Sequence, residues 1–129
     1  MEYLADTITF VRHFSKTGKI GSSAREIISG VEHGEHHLFI SIISLVEIMY
    51  LSQKKRIKIS LEETLERINE SDNYSVVDLT AQIVSLAENI QFPEIFDRLI
   101  IATAKYLGIP MLTSDEEISE TDIIETIWK

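Results

Sequence analysis

The chain has no cysteine, only two prolines and only five glycines in 129 residues. The lack of cysteine excludes a disulfide framework and a thiolate zinc site. The glycines are scattered, which excludes a glycine-rich loop that cradles phosphate groups. Long hydrophobic runs are also absent, because the longest one, residues 38–51, is shorter than a membrane span and contains Glu47. The sequence is therefore not that of a disulfide-stapled, zinc-binding or membrane-spanning protein.

What remains is the composition of a soluble globular protein, 44% hydrophobic and 26% charged. A chain of this length can bury a hydrophobic core without covalent staples, so we expect one domain, residues 1–129. The first ten residues, MEYLADTITF, contain an acid where a signal peptide needs basic residues. We therefore expect a cytoplasmic protein that does not associate with a membrane.

Positive charge is scarce: 12 Lys and Arg stand against 21 Asp and Glu, for a net charge of −9. This balance argues against broad, nonspecific binding to nucleic acid. The charge is unevenly spread, since residues 1–58 hold eight basic and six acidic residues (+2), and residues 59–129 hold four and fifteen (−11). A chain of this kind can still bind a polyanion if cations neutralise the acids of the site.

Short apolar runs alternate with segments of helical periodicity along the chain. The predicted strands cover residues 3–6, 38–41, 75–79, 110–113 and 123–128. The predicted helices cover approximately residues 8–15, 23–34, 44–55, 60–70, 80–90 and 95–106. Such alternation is typical of a parallel sheet with helices on both faces. The sequence therefore predicts an α/β protein with a three-layer α/β/α fold and a central, mostly parallel sheet of four or five strands.

Serine followed three residues later by glutamate occurs repeatedly, a pattern that caps the first turn of a helix. Instances of it begin at Ser23, Ser44, Ser60 and Ser114. We expect the first three of these serines to open helices. We also expect Gly108 to end the helix that precedes residues 110–113.

Four acids follow predicted strands or begin predicted helices. Asp6 ends the first strand, and Asp115 follows the fourth. Glu47 and Asp97 lie in the first turns of two helices. In a parallel sheet the strands end at one edge and the crossover helices begin there. The sequence therefore predicts that all four acids lie on one rim of the sheet.

Carboxylates that share a rim repel one another, which raises their pKa values unless something compensates. Helix N-termini at Glu47 and Asp97 would help to keep these two acids ionised. An all-oxygen site without cysteine or histidine suits Mg²⁺ or Mn²⁺, which retain waters and bind phosphate oxygens. Such a metal at the edge of an α/β sheet indicates hydrolysis of phosphodiester bonds by activated water.

Most of these acids also have a purely structural interpretation. Glu47 could complete a capping box, and Asp115 could stabilise a turn. Asp97 could be a first-turn acid paired with Arg98. Asp6 lacks such an interpretation, because an acid at the end of a buried strand has little structural purpose. Capping accounts for single acids as well as metal binding does, but it does not account for the four together.

Three segments, taken in order, resemble the PIN-domain ribonucleases, and among them the VapC-like toxins of bacterial and archaeal toxin–antitoxin pairs. YLADTITF is similar to the opening strand with its Asp-Thr. SIISLVEIMYL is similar to a helix in which serine precedes glutamate, and FDRLIIATAKYLGIPMLTSDEEI to an Asp-Arg helix followed by a strand and Thr-x-Asp. The resemblance runs nearly end to end and implies a PIN-like fold with metal-dependent endoribonuclease activity.

The resemblance also implies roles for particular residues and partners. The implied catalytic and metal-binding acids are Asp6, Glu47 (through a water molecule in the metal site), Asp97 and Asp115, with Glu117 as an additional acid and Thr113 as a supporting hydroxyl. The implied substrate is single-stranded or loop RNA, with Mg²⁺ or Mn²⁺ as the cofactor. The implied partners are a cognate antitoxin, which carries Arg or Lys into the acidic site, and a second copy of the chain in a homodimer.

Two positions depart from the family pattern, and both concern substrate preference. Ile8 stands where many members have histidine, and residues 93–96 stand where many have Asp-Pro ahead of Asp-Arg.

Arg12 and Lys16 follow Asp6 closely, so we expect them to contact the RNA backbone.

Two further clusters favour structural interpretations. The basic run of Lys54, Lys55 and Arg56 suits the C-terminal end of a helix, and contact with flanking RNA is the alternative. The histidines are His33, His36 and His37, and Gly34 interrupts the register that would align them. We expect a solvated loop there rather than a metal site.

Two other functions fit parts of the pattern. A PIN fold without activity could serve as an RNA- or protein-binding module, which the complete set of four acids disfavours and which a metal titration would distinguish. An aspartate-nucleophile phosphatase also places Asp-x-Asp after its first strand. Here Ile8 occupies the second position, so the phosphatase interpretation is poor.

Overall fold

A computed structural model describes all residues, 1–129, and contains one five-stranded sheet. The strands are β1 (Glu2–Ala5), β2 (His37–Ser41), β3 (Tyr74–Val77), β4 (Met111–Leu112) and β5 (Thr126–Ile127). They lie in the order β3-β2-β1-β4-β5, and every neighbouring pair is parallel. The predicted parallel sheet is therefore confirmed, although the bounds of every strand differ from the prediction by one to three residues at one or both ends.

Seven helices accompany the sheet. They are α1 (Thr7–Ser15), α2 (Ser22–Glu32), α3 (Ile42–Gln53), α4 (Leu61–Asn69), α5 (Ala81–Glu88), α6 (Ile95–Leu107) and α7 (Glu116–Ser119). The sequence predicted six of them and missed the short α7. None of the helices is long and apolar enough to cross a membrane.

Two apolar cores lie on opposite faces of the sheet. Side chains alternate along β1, so Tyr3 and Ala5 join the core that includes α1, α2 and α4, whereas Leu4 joins the core that includes α5 and α6. Strands buried on both faces read as continuous apolar runs, which is why the sequence showed no alternating polar positions. The predicted three-layer α/β/α arrangement is confirmed.

The helix caps differ from the predicted capping boxes in two of three cases. Helix α3 begins three residues earlier than expected, with Ser41 as its N-cap and Ile43 N donating to Ser41 Oγ at 3.0 Å. Ser44 is therefore an interior helical residue, and Glu47 lies in the second turn rather than in a capping box. Ser41 is the last residue of β2, so its hydroxyl can accept from a free backbone N–H group in the first turn of α3. Ser44 lies inside the helix and cannot serve as its N-cap.

The capping prediction at Ser23 is also wrong, because helix α2 begins after Gly21 without a side-chain cap. Helix α7, which the sequence did not predict, is capped by Asp115. By contrast, Glu63 N donates to Ser60 Oγ at 3.0 Å, and Gly108 ends α6 in the left-handed conformation with φ 68°, both as predicted.

The start of α2 is held against the end of the chain. Ala24 N donates to the Trp128 carbonyl oxygen at 3.0 Å, and Ser23 Oγ donates to the Lys129 carbonyl oxygen. A Cβ at Gly21 would collide with the Trp128 carbonyl group. The absence of a side chain at Gly21 therefore lets α2 dock beside β5.

We expect Gly21→Ala to lower the free energy of unfolding by about 2 kcal/mol, because β5 or α2 must move to accept the methyl group. Urea unfolding measures the change. Ser22→Ala, at the exposed first residue of the same helix, is the control and should have an effect within about 0.5 kcal/mol. An equal loss in both variants would contradict the docking described for Gly21.

Candidate active site

The carboxyl ends of the strands carry the four acids that the sequence singled out. Asp6 follows β1 as the N-cap of α1, and Asp115 follows β4 as the N-cap of α7. Glu47 lies in the second turn of α3, which follows β2. Asp97 lies in the first turn of α6. We call these four residues the acidic rim.

Both carboxylate oxygens of Asp6 accept hydrogen bonds. Thr9 N donates to Oδ1 at 2.9 Å, and the Thr113 hydroxyl donates to Oδ2. Asp6 thus caps α1, so the expectation that this acid has no structural role is wrong. A carboxylate that ends a strand and starts a helix satisfies the free N–H groups of the first helical turn.

The Thr113 hydroxyl links two members of the acidic rim. Thr113 is buried, donates to Asp6 and accepts from Asp115 N at 3.1 Å. Asp115 Oδ1 in turn accepts from Glu117 N at 2.9 Å. The Glu117 side chain is exposed, and its hydrogen bond to the rim is made by its backbone N–H. A single hydroxyl between β1 and β4 therefore fixes the relative positions of Asp6 and Asp115.

Glu47 is held by α1 through Thr7. Thr7 Oγ1 donates to Glu47 Oε1 at 2.6 Å and lies 2.8 Å from Ser44 Oγ. Both Thr7 and Ser44 are buried. This contact joins the start of α1 to the second turn of α3, and the sequence analysis did not identify Thr7 or Ser44 as part of the site.

Asp97 differs from Asp6 and Glu47, because its carboxylate accepts no hydrogen bond within the chain. Its backbone N–H donates to Glu94 Oε2 at 2.7 Å, so Glu94 is the N-cap of α6. Arg98 Nε donates to the Phe92 carbonyl oxygen at 2.9 Å. The Asp97 side chain is half-buried. Its carboxylate therefore lies in the first turn of α6 without a hydrogen-bond donor from the chain.

The acids of the rim are close enough to raise one another's pKa values. Burial raises the pKa of Asp97 to about 6, and Glu94, Glu47, Asp115 and Asp6 add to the rise in that order. Burial also raises the pKa of Glu47, which Thr7 partly offsets and which Glu94 and Asp6 increase. The structure thus brings the four predicted acids into one mutual field and adds Glu94 as a fifth.

The pKa of Asp6 is also raised, first by burial, and Asp115 adds to this effect. The hydrogen bonds from Thr113 and Thr9 act in the opposite direction. We expected helix N-termini to help keep Glu47 and Asp97 ionised, but the pKa of each is raised. Glu47 is too far inside α3 to feel the helix end strongly, and at Asp97 burial and four neighbouring acids outweigh it.

Oxygen atoms supply all the potential metal ligands of this rim, a donor set that suits hard divalent cations such as Mg²⁺ and Mn²⁺. No three Asp, Glu or His side chains lie close enough together to hold a metal ion as they stand. The raised pKa values have the sign expected for anionic groups assembled without a counter-charge. The rim therefore fits a divalent cation in its chemistry, and its side chains would have to converge to bind one.

The basic residues that the sequence singled out lie away from the rim. Arg12 is in the second half of α1, and Lys16 is its C-cap. With a rise of about 1.5 Å per residue, Lys16 lies roughly 15 Å along the helix axis from Asp6. The run from Lys54 to Arg56 follows the end of α3 and is exposed.

The three histidines near residue 35 do not converge. His33 contacts the Ser29 carbonyl oxygen, and His36 packs edge-on against Tyr3. His37 is the first residue of β2, with Nε2 2.7 Å from Ser75 Oγ, so the predicted loop ends one residue earlier. No three His, Asp or Glu side chains of this segment lie close enough together to hold a metal ion.

The fold and the rim together define an α/β protein with an acidic site at the carboxyl edge of a parallel sheet. The family model of the PIN domain matches residues 3–124. The chain therefore belongs to the PIN domain family. Comparison with curated protein sequences gives no match.

Solved structures with the same fold cover nearly the whole chain. VapBC2 from Rickettsia felis, bound to a DNA fragment from its promoter, is 16% identical over all of both chains, with a TM-score of 0.72. DNA-bound VapBC from Salmonella typhimurium is 18% identical over 98% of this chain and 97% of that one, with a TM-score of 0.68. A toxin–antitoxin complex from Klebsiella pneumoniae is 18% identical over 95% and 94%, with a TM-score of 0.66. At these identities the comparisons establish the fold.

The raised pKa of Asp97 predicts a pH-dependent stability of the metal-free protein. A carboxyl group whose pKa is higher in the folded state stabilises the fold fully below the unfolded value of 3.8, and that contribution is lost as the pH rises through about 6. Asp97→Asn removes the group, so the melting temperature of the variant should exceed that of the parent at pH 7.5 more than at pH 4.5. Thermal melts in EDTA measure this difference.

The two proteins must be compared at each pH, because the contribution of His13 to stability changes with pH in the opposite direction. Burial lowers the pKa of His13 to about 4, so its contribution to stability is lost as the pH falls below about 6.5. Both proteins carry His13, and its effect therefore cancels in the difference. A difference that does not change with pH would contradict the electrostatic description of Asp97.

Proposed function

We propose that this chain is a divalent-metal-dependent endoribonuclease and the toxin of a toxin–antitoxin pair. The observation that carries the proposal is an acidic rim where burial and neighbouring acids raise carboxylate pKa values and where the Asp97 carboxylate has no hydrogen-bond donor within the chain. PIN domains of the VapC type are generally nucleases, and PIN nucleases generally use divalent metal ions. RNA as the substrate and Mg²⁺ or Mn²⁺ as the metal are the finer parts of the proposal.

The residues proposed to hold the metal are Asp6, Asp97 and Asp115, with Glu47 acting through a water molecule and Glu117 as an additional acid. When bound, a divalent cation supplies an activated water and neutralises charge on the scissile phosphate. Thr113 keeps Asp6 and Asp115 in register, and Thr7 fixes the rotamer of Glu47. Asp97 is free to turn toward a cation, because no donor within the chain holds it.

Protons are expected to leave the rim as the cation binds, because metal ligands must be deprotonated. Asp97 is partly protonated near pH 6, so the apparent metal affinity should increase with pH across that range. The acids also repel the phosphate groups of RNA until a cation is present. Metal binding and substrate binding are therefore expected to be coupled.

We expect Asp97→Asn to reduce RNA cleavage by at least about 100-fold without loss of folding. Asparagine keeps the shape of the side chain and leaves Glu94 as the cap of α6, but it does not supply an anionic ligand. Initial rates on a fluorogenic single-stranded RNA, with Mg²⁺ or Mn²⁺ added, measure the loss.

The matched control is Asp72→Asn, which makes the same chemical change at an exposed residue just before the amino end of β3. It should leave cleavage unchanged. Full activity of Asp97→Asn, together with an unchanged metal-induced rise in melting temperature, would assign Asp97 a structural role only. A metal titration without any effect on either protein would favour a catalytically silent PIN-fold binding module.

An antitoxin partner is supported by an apolar groove beside the rim. Its lining, which we call the α3 groove, consists of Val46, Glu47, Met49, Tyr50, Leu51 and Phe96. Tyr50 is 51% exposed, and Met49 and Phe96 are also exposed. An amphipathic segment could anchor apolar side chains there and carry Arg or Lys to the acids, where it would compete with the metal.

Tyr50→Ala is expected to weaken antitoxin binding by roughly tenfold or more, since exposed aromatic anchors carry much of the energy of an interface. Isothermal titration with the cognate antitoxin measures the loss. Tyr106→Ala is the control. Tyr106 is equally exposed, at 52%, but it lies near the end of α6, whereas Phe96 of the α3 groove lies near the start of that helix. If both variants bind equally well, or if saturating Mg²⁺ leaves the affinity unchanged, the groove is not the antitoxin site.

We also propose a homodimer, on the basis of the family resemblance. The exposed apolar side chains outside the α3 groove, including Val84 on α5, offer contact area for a second copy. Light scattering at micromolar concentration that shows only monomer would exclude the homodimer without affecting the proposed chemistry.

A further inference from the structure

A second, cationic site lies beside α1, away from the acidic rim. A cleft of about 540 Å³ separates the second half of α1 and the following loop from α2. Its charged lining consists of Arg12, Lys16, Lys19, Arg25 and Glu32. One third of the chain's 12 Lys and Arg residues thus gather around one cleft of a protein whose net charge is −9. We call this feature the α1–α2 cleft.

The cleft is shaped by a fixed arginine. Arg12 Nη1 donates to the Lys19 carbonyl oxygen at 3.0 Å, which ties the guanidinium group to the loop. Gly18 adopts φ +67°, and a Cβ there would lie 2.9 Å from Arg12 Nε. The loop can therefore lie against Arg12 only because residue 18 is glycine. A guanidinium held in this way needs little further ordering when it binds a phosphate.

The cleft lies toward the end of α1 that is remote from the acidic rim. Ile8 and Arg12 are four residues apart and so share a helix face, Lys16 follows the helix as its C-cap, and Ile8 is 45% exposed. Helix α1 begins at Asp6, and Arg12 and Lys16 lie roughly 9 and 15 Å along its axis from that acid. The solvent face of α1 thus leads from the proposed catalytic acids to the cationic cleft.

Charge complementarity identifies the class of ligand as an extended polyanion. The cleft has no Phe, Tyr or Trp on which a base could stack, so it is suited to a backbone rather than to bases. The neighbouring His13 is neutral, since burial lowers its pKa to about 4, and the positive charges of Arg67 and Lys16 contribute to that lowering. The positive potential of the cleft therefore comes from Lys and Arg and does not depend on pH near neutrality.

We infer that the α1–α2 cleft binds the phosphate backbone of a single-stranded RNA whose scissile bond lies at the acidic rim. This inference rests on the proposed function, because it names how the same substrate is held beyond the reacting phosphate. Arg12, Lys16 and Lys19 contact the backbone from one wall of the cleft, and Arg25 contacts it from the other. The contacts are independent of sequence and favour RNA long enough to reach both sites.

The test compares two double variants with the same change in charge, both made in the Asp97→Asn background so that RNA is not consumed. One is Lys16→Gln with Arg25→Gln, which removes one cation from each wall of the cleft. The control is Lys55→Gln with Arg56→Gln, at the exposed end of α3. Lys16 and Lys55 both have a positive φ, 55° and 57°, so the backbone strain is matched as well.

Fluorescence anisotropy with a labelled single-stranded RNA, across a range of KCl concentrations and with Mg²⁺ present, gives the affinity and its salt dependence. The cleft variant should bind roughly fivefold more weakly at low salt. The slope of log K against log salt, which is negative, should become shallower by about 1.4, or about 0.7 for each lost phosphate contact. The control variant should bind like its parent.

Equal losses in the two variants, or no loss in either, would overturn the inference. Cleft-dependent binding of poly-glutamate but not of RNA would also overturn it, because the cleft would then accept an acidic protein segment. The outcome is separable from that of the proposed function. Wild-type protein that cleaves RNA while both double variants bind equally refutes only the cleft, and cleft-dependent RNA binding without cleavage refutes only the chemistry.

Discussion

The repulsion between carboxylates at the carboxyl edge of the sheet is the constraint on which the rest of this structure depends. Parallel pairing of β1, β2 and β4 brings the starts of the following segments together, and several of those starts are acidic. Burial is the largest contribution to the cost and, with the neighbouring acids, raises the pKa of Asp97 to about 6. A fold optimised only for stability would not assemble these groups, which is the physical basis for the proposed metal site.

The chain reduces this cost with hydroxyl and backbone N–H groups rather than with basic side chains. The Thr113 hydroxyl and the Thr9 backbone N–H donate to Asp6, and the Thr7 hydroxyl donates to Glu47. Such hydrogen bonds stabilise the ionised carboxylates without occupying the place of a cation, which a lysine or arginine would do. Basic side chains are likewise kept away from the acids, because the adjacent α3 groove is mostly apolar and the cluster of Lys and Arg lies in the α1–α2 cleft.

The fold and the four acids could be predicted because they depend on rules that act along the chain. Apolar runs on both faces of β1 indicate a parallel sheet, and a parallel sheet places Asp6 and Asp115 on one edge. The contacts of Thr7, Ser44 and Glu94 could not be predicted in this way. They depend on how closely α1 approaches α3 and on how α6 begins, which are distances between elements rather than patterns within them.

The capping errors have the same origin. Ser44 and Ser41 both suit an N-cap, and only the end of β2 at Ser41 decides that α3 begins there. The structural role of Asp6 was missed because α1 follows β1 without a connecting loop. At Asp6 and Asp115 the carboxylate therefore caps a helix whether or not it also binds the proposed metal.

The most direct test of the central claim is calorimetric titration of Mn²⁺ into the wild-type protein, in buffers of different ionisation enthalpy at pH 6 and pH 8. A rim of repelling acids that serves a cation should show saturable binding with proton release at pH 6, and the release should nearly vanish at pH 8, where Asp97 is already ionised. Saturable binding without proton release at pH 6, or no binding at either pH, would contradict the account.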